Sequence, residues 1–219
     1  IPDHYREIRK TLQRTEDYPT PKTMLEAAAW LEDNKDADNF FMWVEGVSPH
    51  EPFDVPEEYL KLYGDTYAGE EIFWPMYSTT EDYTEAEIRH LINRYKATIP
   101  MVDEYVGKLL EVLDRNNMWE DTEVIFTTDH GYMLGEHGFF AKNYMPDYNE
   151  VFQLPLMIHL PGQKDSRRVS GLSQNIDVFA TILDSFNIPL SDLHNPIHGR
   201  SLQDMAAGKT DTGRCPIIF

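Results

Sequence analysis

One segment constrains the fold of this chain more than any other, because its apolar residues recur at steps of three and four. They are Ile88, Leu91, Ile92, Tyr95, Ile99, Val102, Val106, Leu109, Leu110 and Leu113. This spacing is typical of one buried face of an α-helix. Thr84 and Glu87 precede the pattern and match a capping box. The sequence therefore predicts a long helix that starts after Thr84, contains Pro100 and ends near Asn116, and that must pack against another layer of structure.

Shorter segments alternate between helical patterns and continuous apolar runs. Strands are predicted at 40–44, 122–127 and 154–160, where the runs are short and apolar throughout. Helices are predicted at 5–12, at 20–34 with Thr20 as N-cap, and at 176–186 with Val178, Phe179, Ile182 and Leu183 inside. This alternation indicates an α/β fold, with a mostly parallel sheet sandwiched between helices.

The stretch 47–83 follows no period. It carries Pro49, Pro52, Pro56 and Pro75 among many aromatic residues. An ordered loop of this length is uncommon unless it has a function. We expect a long irregular loop or insertion here.

Composition excludes several classes of protein. Hydrophobic residues make up 41% of the chain, which is enough for a core and argues against intrinsic disorder. The formal net charge of −19 disfavours binding to nucleic acid or to a membrane surface, and an anionic small substrate would need a local cationic site. No apolar run approaches the roughly 18 residues of a membrane span. A single cysteine, Cys215, excludes an internal disulfide framework and a Cys-rich metal site.

Polar residues with catalytic chemistry follow two of the predicted strands. Ser48-Pro49-His50-Glu51-Pro52 comes after the first, and Thr128-Asp129-His130-Gly131 comes after the second. Ligands of α/β sheets sit at the carboxyl ends of strands, and a carboxylate with an imidazole suits a divalent cation. The alternative is that Asp129 caps the next turn and His130 lies on the surface.

A glycine-rich segment, Leu134-Gly135-Glu136-His137-Gly138, follows His130 and leads to Lys142. A lysine in this place could act as a point charge for a tetrahedral anion. The alternative is that Lys142 is solvated, as most lone lysines are.

Four stretches of the sequence, in the expected order, resemble the sulfatase branch of the alkaline-phosphatase-like superfamily. They are FMWVEGVSPHEPFDVPEEY, the helix around IPMVDEYVGKLLEVLDR, TTDHGYMLGEHGFFAKNYMPDYNEVFQLPLMIHLPG, and QNIDVFATILDSFNIP followed by HGRSL. Together they cover most of residues 40–208. The resemblance implies that the chain is the C-terminal portion of a sulfatase catalytic domain.

The resemblance also implies roles for individual residues. Asp129 and His130 would be two ligands of a divalent metal, usually calcium in this family. Lys142 would contact the sulfate, and His50 would lie near the bridging oxygen, binding sulfate or protonating the leaving group. His137, in the glycine-rich segment, is a further candidate for substrate contact.

Departures from the family pattern limit what this chain can do alone. The family nucleophile is a formylglycine made within a C/S-x-P-x-R stretch, and this sequence has none, since Pro216 follows Cys215 directly. The acidic pair that completes the metal site and the small C-terminal antiparallel sheet also have no counterpart. We therefore expect residues 1–219 to form a single partial catalytic domain, with the nucleophile in an N-terminal half outside this sequence. On this view the chain alone is inactive.

The leading functional hypothesis is a fragment of an enzyme that hydrolyses sulfate esters of small molecules or glycans. One alternative is a phosphodiesterase or phosphonate monoester hydrolase of the same superfamily, and another is a non-catalytic module. Among the remaining histidines, His159 is expected in the core, whereas His4 and His90 are expected on the surface.

Overall fold

The computed structural model describes residues 2–214, so Cys215 lies outside the described part of the chain. The chain forms two compact units that are interleaved in sequence. The first contains the residues up to Met118 together with His130–Gln153, and the second contains Trp119–Asp129 together with the residues from Leu154 onward.

Helices and short strands alternate along residues 2–214, as an α/β fold requires. The helices are α1 (Pro2–Arg9), α2 (Pro19–Asp33), α3 (Glu57–Lys61), α4 (Glu85–Arg115), α5 (Asn149–Phe152), α6 (Ile176–Ser185) and α7 (Gln203–Ala206). The strands are β1 (Val124–Thr127), β2 (Met133–Leu134), β3 (Phe140–Ala141) and β4 (Leu156–His159). No helix within the described residues is both long enough and apolar enough to cross a membrane.

Helix α4 organises the first unit and confirms the prediction from periodicity. The capping box is present, with Thr84 Oγ1 accepting from the Glu87 backbone N–H at 3.3 Å and Glu87 Oε2 accepting from the Thr84 N–H at 2.7 Å. The helix continues through Pro100 and ends at Asn116. Its buried face packs mainly against α2. The core of this unit consists of Tyr18, Met24, Val55, Tyr59, Ala97, Met101 and Tyr105.

The start of α2 differs from the prediction that Thr20 is the N-cap. Tyr18 occupies that position, and Thr20 lies inside the helix with no exposed surface. Its hydroxyl accepts a hydrogen bond from the Ser48 backbone N–H at 2.8 Å. Thr20 therefore supports the loop that carries His50 instead of starting the helix.

The predicted strand at 40–44 is wrong for this structure. A strand requires ladder hydrogen bonds to a neighbour, and no strand is assigned to these residues within the described chain. Two of their large side chains are well exposed, Phe41 at 57% and Trp43 at 68%. The apolar character of residues 40–44 was therefore not sufficient to predict their burial.

The described strand pairs are antiparallel, which corrects the expected parallel pairing while leaving the α/β class intact. In the first unit, β2 and β3 pair as a hairpin with Leu134 opposite Phe140. A turn this short can only join antiparallel strands. In the second unit, β1 pairs with β4 and Thr127 lies opposite Leu156.

Helix α6 buries a more polar face than predicted. Its buried residues are Asp177, Ala180, Thr181 and Leu183, while Phe179 is 49% exposed. Asp177 turns inward because its carboxylate accepts hydrogen bonds from the Arg214 side chain and the Arg200 backbone N–H. Thr181 turns inward because its hydroxyl accepts from the Leu202 N–H at 2.9 Å. Polar partners thus decide which face of this helix is inside.

Candidate active site

His50 lies in a tight turn of the long loop, in the first unit. The turn is closed by a hydrogen bond from the His50 N–H to the Val47 carbonyl at 2.9 Å. The imidazole Nδ1 lies 2.7 Å from the backbone carbonyl of Glu51, and the His50 side chain is 44% exposed. The ring is therefore anchored at one nitrogen and reaches solvent.

Arg94 of α4 fixes the loop just after this turn. Its guanidinium is buried, donates through Nε to the Phe53 carbonyl at 2.8 Å, and pairs through Nη2 with Asp54 at 3.1 Å. Asp54 also accepts from Tyr5 and Arg9 of α1. A buried charge without partners would be costly, so these contacts hold the loop to two helices. The sequence pattern did not identify Arg94, since nothing local marks a buried arginine.

His130 is the first residue of a segment held against α5. The Gly131 N–H donates to the Val151 carbonyl at 2.7 Å. A Cβ at Gly131 would lie 1.9 Å from the Glu150 carbonyl oxygen, so only glycine fits. His130 Nδ1 lies 2.9 Å from the Gly131 carbonyl, the arrangement by which metal-binding histidines present Nε2 to an ion.

Lys142 directly follows β3. It is 9% exposed, and no carboxylate within the described residues lies at ion-pair distance from it. In a chain with a net charge of −19, a largely buried lysine without an acidic partner is unusual. Lys142 is therefore a candidate for contact with an anionic ligand.

Contacts within the first unit connect the segments that carry His50, His130 and Lys142. The Phe140 N–H, two residues before Lys142, donates to the Ser78 carbonyl at 2.9 Å. The Tyr77 hydroxyl donates to the Glu51 carboxylate, next to His50. The ring of Tyr132, two residues after His130, packs at 5.4 Å from that of Phe53. The long loop therefore touches both other segments, although the convergence of the three side chains on one ligand stays a prediction.

Asp129 belongs to the second unit, next in sequence to His130 of the first. It follows β1, and its backbone carbonyl accepts from Asn175 Nδ2 at 2.9 Å, while the Thr128 carbonyl accepts from the same group at 3.1 Å. Asp129 itself is exposed. Asn175, just before α6, thus fixes the backbone at the strand end that carries the carboxylate.

His137 is held by neighbours on two sides. Its ring stacks on Tyr148 at 3.9 Å between centroids, and its Nε2 lies 3.3 Å from Glu150. The residue adopts a left-handed backbone conformation, with φ of 52°. These contacts support a role in shaping the glycine-rich segment, and substrate contact by His137 stays a prediction.

Metal binding by this chain would rest on a partial set of ligands. Asp129 and His130 offer the oxygen and nitrogen donors that suit a divalent ion. Within residues 2–214, however, no group of three or more His, Cys, Asp or Glu side chains is arranged to hold a metal. The residues present fit part of a coordination shell.

The burial of two other histidines, His90 and His159, differs from the expectation. His90 was expected on the surface, yet it is 3% exposed, with Nδ1 at 2.5 Å from Asp65 and its ring stacked on Tyr67. Burial opposes ionisation of Asp65, but the hydrogen bond and charge of His90, together with hydrogen bonds from the Tyr67 N–H and from Asn93, lower the pKa of that carboxyl. His159 is half-buried and contacts the Trp119 ring and the Gln163 carbonyl. The signal that could have indicated burial of His90 is its acidic partner Asp65, which lies far away in sequence, in the long loop.

Comparison with known proteins places this site in context. A sequence profile of the Sulfatase family matches residues 3–188. The chain is 37% identical over 127 residues to choline-sulfatase of Rhizobium meliloti, covering 58% of this chain and 24% of that protein. It is 34% identical over 119 residues to N-acetylglucosamine-6-O-sulfatase of Bacteroides thetaiotaomicron, covering 54% of this chain and 20% of that protein.

A solved structure also resembles this chain in its fold. Phosphonate monoester hydrolase from Silicibacter pomeroyi superposes with a TM-score of 0.71 at 24% identity, covering 90% of this chain and 43% of that one. The matched region thus spans less than half the length of each of these relatives. With the profile matching most of its length, this chain belongs to the sulfatase family and has part of the alkaline-phosphatase-like fold.

Proposed function

We propose that the full-length protein containing this chain hydrolyses sulfate esters, and that this chain supplies the residues that hold the sulfate and protonate the leaving group. The observation that carries the proposal is Lys142, a largely buried lysine without an acidic partner in the described residues, in a family whose members act on sulfate esters. The substrate class is a sulfated small molecule or glycan, since choline-sulfatase and N-acetylglucosamine-6-O-sulfatase are among its relatives.

We propose one role for each candidate side chain, supported by its surroundings. Lys142 binds sulfate oxygens through its ammonium group, whose attraction is strong because most of the side chain is shielded from water. His50, with Nδ1 held by a backbone carbonyl, directs Nε2 to the bridging oxygen and gives it a proton as the ester bond breaks. Asp129 and His130 are two ligands of a divalent cation, calcium in our proposal, which would add positive charge near the sulfate oxygens.

The nucleophile that attacks sulfur is proposed to come from outside this sequence. This sequence contains no C/S-x-P-x-R stretch in which a formylglycine could form. The remaining metal ligands are assigned to the same absent portion, because Asp129 and His130 are too few to complete a site. We therefore propose that the chain alone has no sulfatase turnover.

The experiment compares hydrolysis of an aryl sulfate by the full-length protein, by this chain, and by full-length Lys142→Ala. We expect turnover only with the full-length protein, and a loss of roughly 10²-fold or more in kcat/KM for Lys142→Ala, as for removal of one preorganised charge contact. Lys164→Ala is the matched control, because Lys164 is 78% exposed and pairs with a surface glutamate.

Three outcomes would contradict the proposal. Turnover by the purified chain would show that the nucleophile is not missing. Equal rates for Lys142→Ala and Lys164→Ala would remove the sulfate-binding role of Lys142. Faster hydrolysis of an aryl phosphonate monoester than of the aryl sulfate would favour the alternative activity.

A further inference from the structure

A buried carboxylate lies directly behind the His50 ring. Glu51 is 1% exposed and belongs to the same turn as His50. One of its oxygens, Oε1, accepts a hydrogen bond from the Tyr77 hydroxyl. The other, Oε2, has no hydrogen bond within residues 2–214 and lies 3.4 Å from His50 Nδ1. Glu51 is thus fixed on one side and faces the imidazole on the other.

This arrangement is unusual because burial of a carboxylate is costly. A buried oxygen without a donor loses its hydration and gains nothing in exchange. A glutamate selected only to hold Tyr77 could be replaced by glutamine, which keeps that acceptor without the charge. The carboxylate therefore needs a positive or proton-bearing neighbour, and His50 Nδ1 is the nearest such group given by the contacts of Oε2.

Nδ1 of His50 faces two acceptors and no donor among its described contacts. The Glu51 carbonyl lies at 2.7 Å, and the Glu51 carboxylate oxygen lies at 3.4 Å. Two acceptors facing one ring nitrogen favour the tautomer with the proton on that nitrogen, where it is donated to the Glu51 carbonyl and lies next to the negative carboxylate. The opposite nitrogen, Nε2, is then the one that exchanges a proton with a ligand.

A tyrosine holds the other side of the carboxylate. Burial raises the pKa of Tyr77, and its hydrogen bond to Glu51 adds to that effect. The phenol therefore stays protonated and remains the donor to Glu51.

We propose that Glu51 is a positioning residue that keeps one proton of His50 on Nδ1. A second proton, taken from water, then resides on Nε2, which delivers it to the leaving group and leaves the neutral ring protonated on Nδ1. The proposal rests on the acid role given to His50 under the proposed function, and it deepens that role. Glu51 touches neither substrate nor metal in this scheme. It acts through the ring of His50 alone.

The test uses nitrogen NMR of the chain with ¹⁵N-labelled histidine, which needs no enzymatic activity. His50→Gln assigns the His50 signals. In the wild-type chain we expect the neutral ring to carry its proton on Nδ1. In Glu51→Gln an amide NH₂ can replace Oε2 and face Nδ1, and we expect the population to move toward the tautomer with the proton on Nε2.

A second variant keeps the test valid if Glu51→Gln does not fold. Tyr77→Phe removes the donor from Oε1 and makes the carboxylate a stronger acceptor. We expect Nδ1 to keep its proton and its ¹⁵N resonance to shift. Tyr144→Phe is the control, because Tyr144 is 69% exposed, and it should leave the resonance unchanged.

The outcomes separate this inference from the proposed function. A wild-type ring protonated on Nε2, or a tautomer that Glu51→Gln leaves unchanged, would overturn the role of Glu51. An Nδ1 resonance that does not respond to Tyr77→Phe would overturn it as well. Absence of sulfatase turnover in the full-length protein would instead refute the proposed function, while the NMR result would still stand for the ring of His50.

Discussion

At the scale of single residues, the His50 turn shows how the side chain that we propose as the acid can be held through Nδ1 while Nε2 stays free of that contact. Nδ1 faces the Glu51 carbonyl, and the side chain is 44% exposed, so Nε2 can meet a substrate. A group that donates a proton to the leaving oxygen matters most when that oxygen is strongly basic. The dependence of rate on the leaving group therefore reports the role of His50.

We predict that His50→Ala in the full-length protein lowers kcat/KM far more for aryl sulfates with weakly acidic phenols than for those with strongly acidic phenols. An acid catalyst typically contributes roughly 10²–10⁴-fold, so the slow substrates should lose about this much. The measurement is a series of phenols of graded acidity, with His4→Ala on the exposed surface of α1 as control. Equal losses across the series would leave His50 only a role in binding sulfate.

At the scale of elements, α4 is the part of the fold that the sequence predicted best. Its period, capping box and end at Asn116 depend on residues close to one another in the chain, so local pattern was sufficient. The strand at 40–44 and the parallel pairing depend on partners elsewhere in the molecule, which apolar character cannot reveal. The same holds for the candidate site: local motifs indicated His50, Asp129, His130 and Lys142. They did not indicate Arg94, whose partners are distant in the chain, or Glu51, whose hydrogen-bond donor Tyr77 is distant as well.

We predict that Thr84→Ala lowers the free energy of unfolding of the chain by about 1 kcal/mol, because it removes the side-chain acceptor of the α4 capping box. The measurement is urea denaturation at neutral pH. Thr84→Ser keeps the hydroxyl and should retain most of the stability. A loss as large for serine as for alanine would mean that packing of the methyl group, and not the cap, carries the effect.

The contact between α2 and the end of α4 should depend on pH. Glu32 accepts hydrogen bonds from Lys35, Asn116 and Arg115, which together lower its pKa from 4.5 to about 2. Because the pKa is lower in the folded state, the stabilisation is complete above about pH 4.5 and is lost as the pH falls toward 2.

We therefore predict that Glu32→Gln destabilises the chain in urea denaturation at pH 6, and that the difference from wild type shrinks at pH 3. Glu26→Gln is the matched control on the same helix, where Glu26 is exposed and has no ion pair within the described residues. A difference that is the same at both pH values would contradict an origin in the charge of Glu32.

At the scale of the whole molecule, the division into two units cuts the Asp-His motif between its two residues. Asp129 ends a segment of the second unit and His130 begins a segment of the first. Each is held by its own unit, Asp129 by Asn175 on its backbone and His130 by the Gly131 carbonyl. Asp129 and His130 are the oxygen and nitrogen ligands that we propose for the cation.

The last prediction concerns this pair as a metal site. Calcium normally takes about six to eight oxygen ligands, and two side chains cannot repay the cost of dehydrating the ion. We predict that calorimetric titration of the chain with calcium gives weak binding or none, and that Asp129→Ala leaves the result unchanged. The full-length protein, with the remaining ligands that we propose, should bind calcium stoichiometrically and should lose this binding on Asp129→Ala. Tight stoichiometric binding by the chain alone would mean that it holds ligands beyond Asp129 and His130, and a full-length protein indifferent to Asp129→Ala would remove Asp129 from the site.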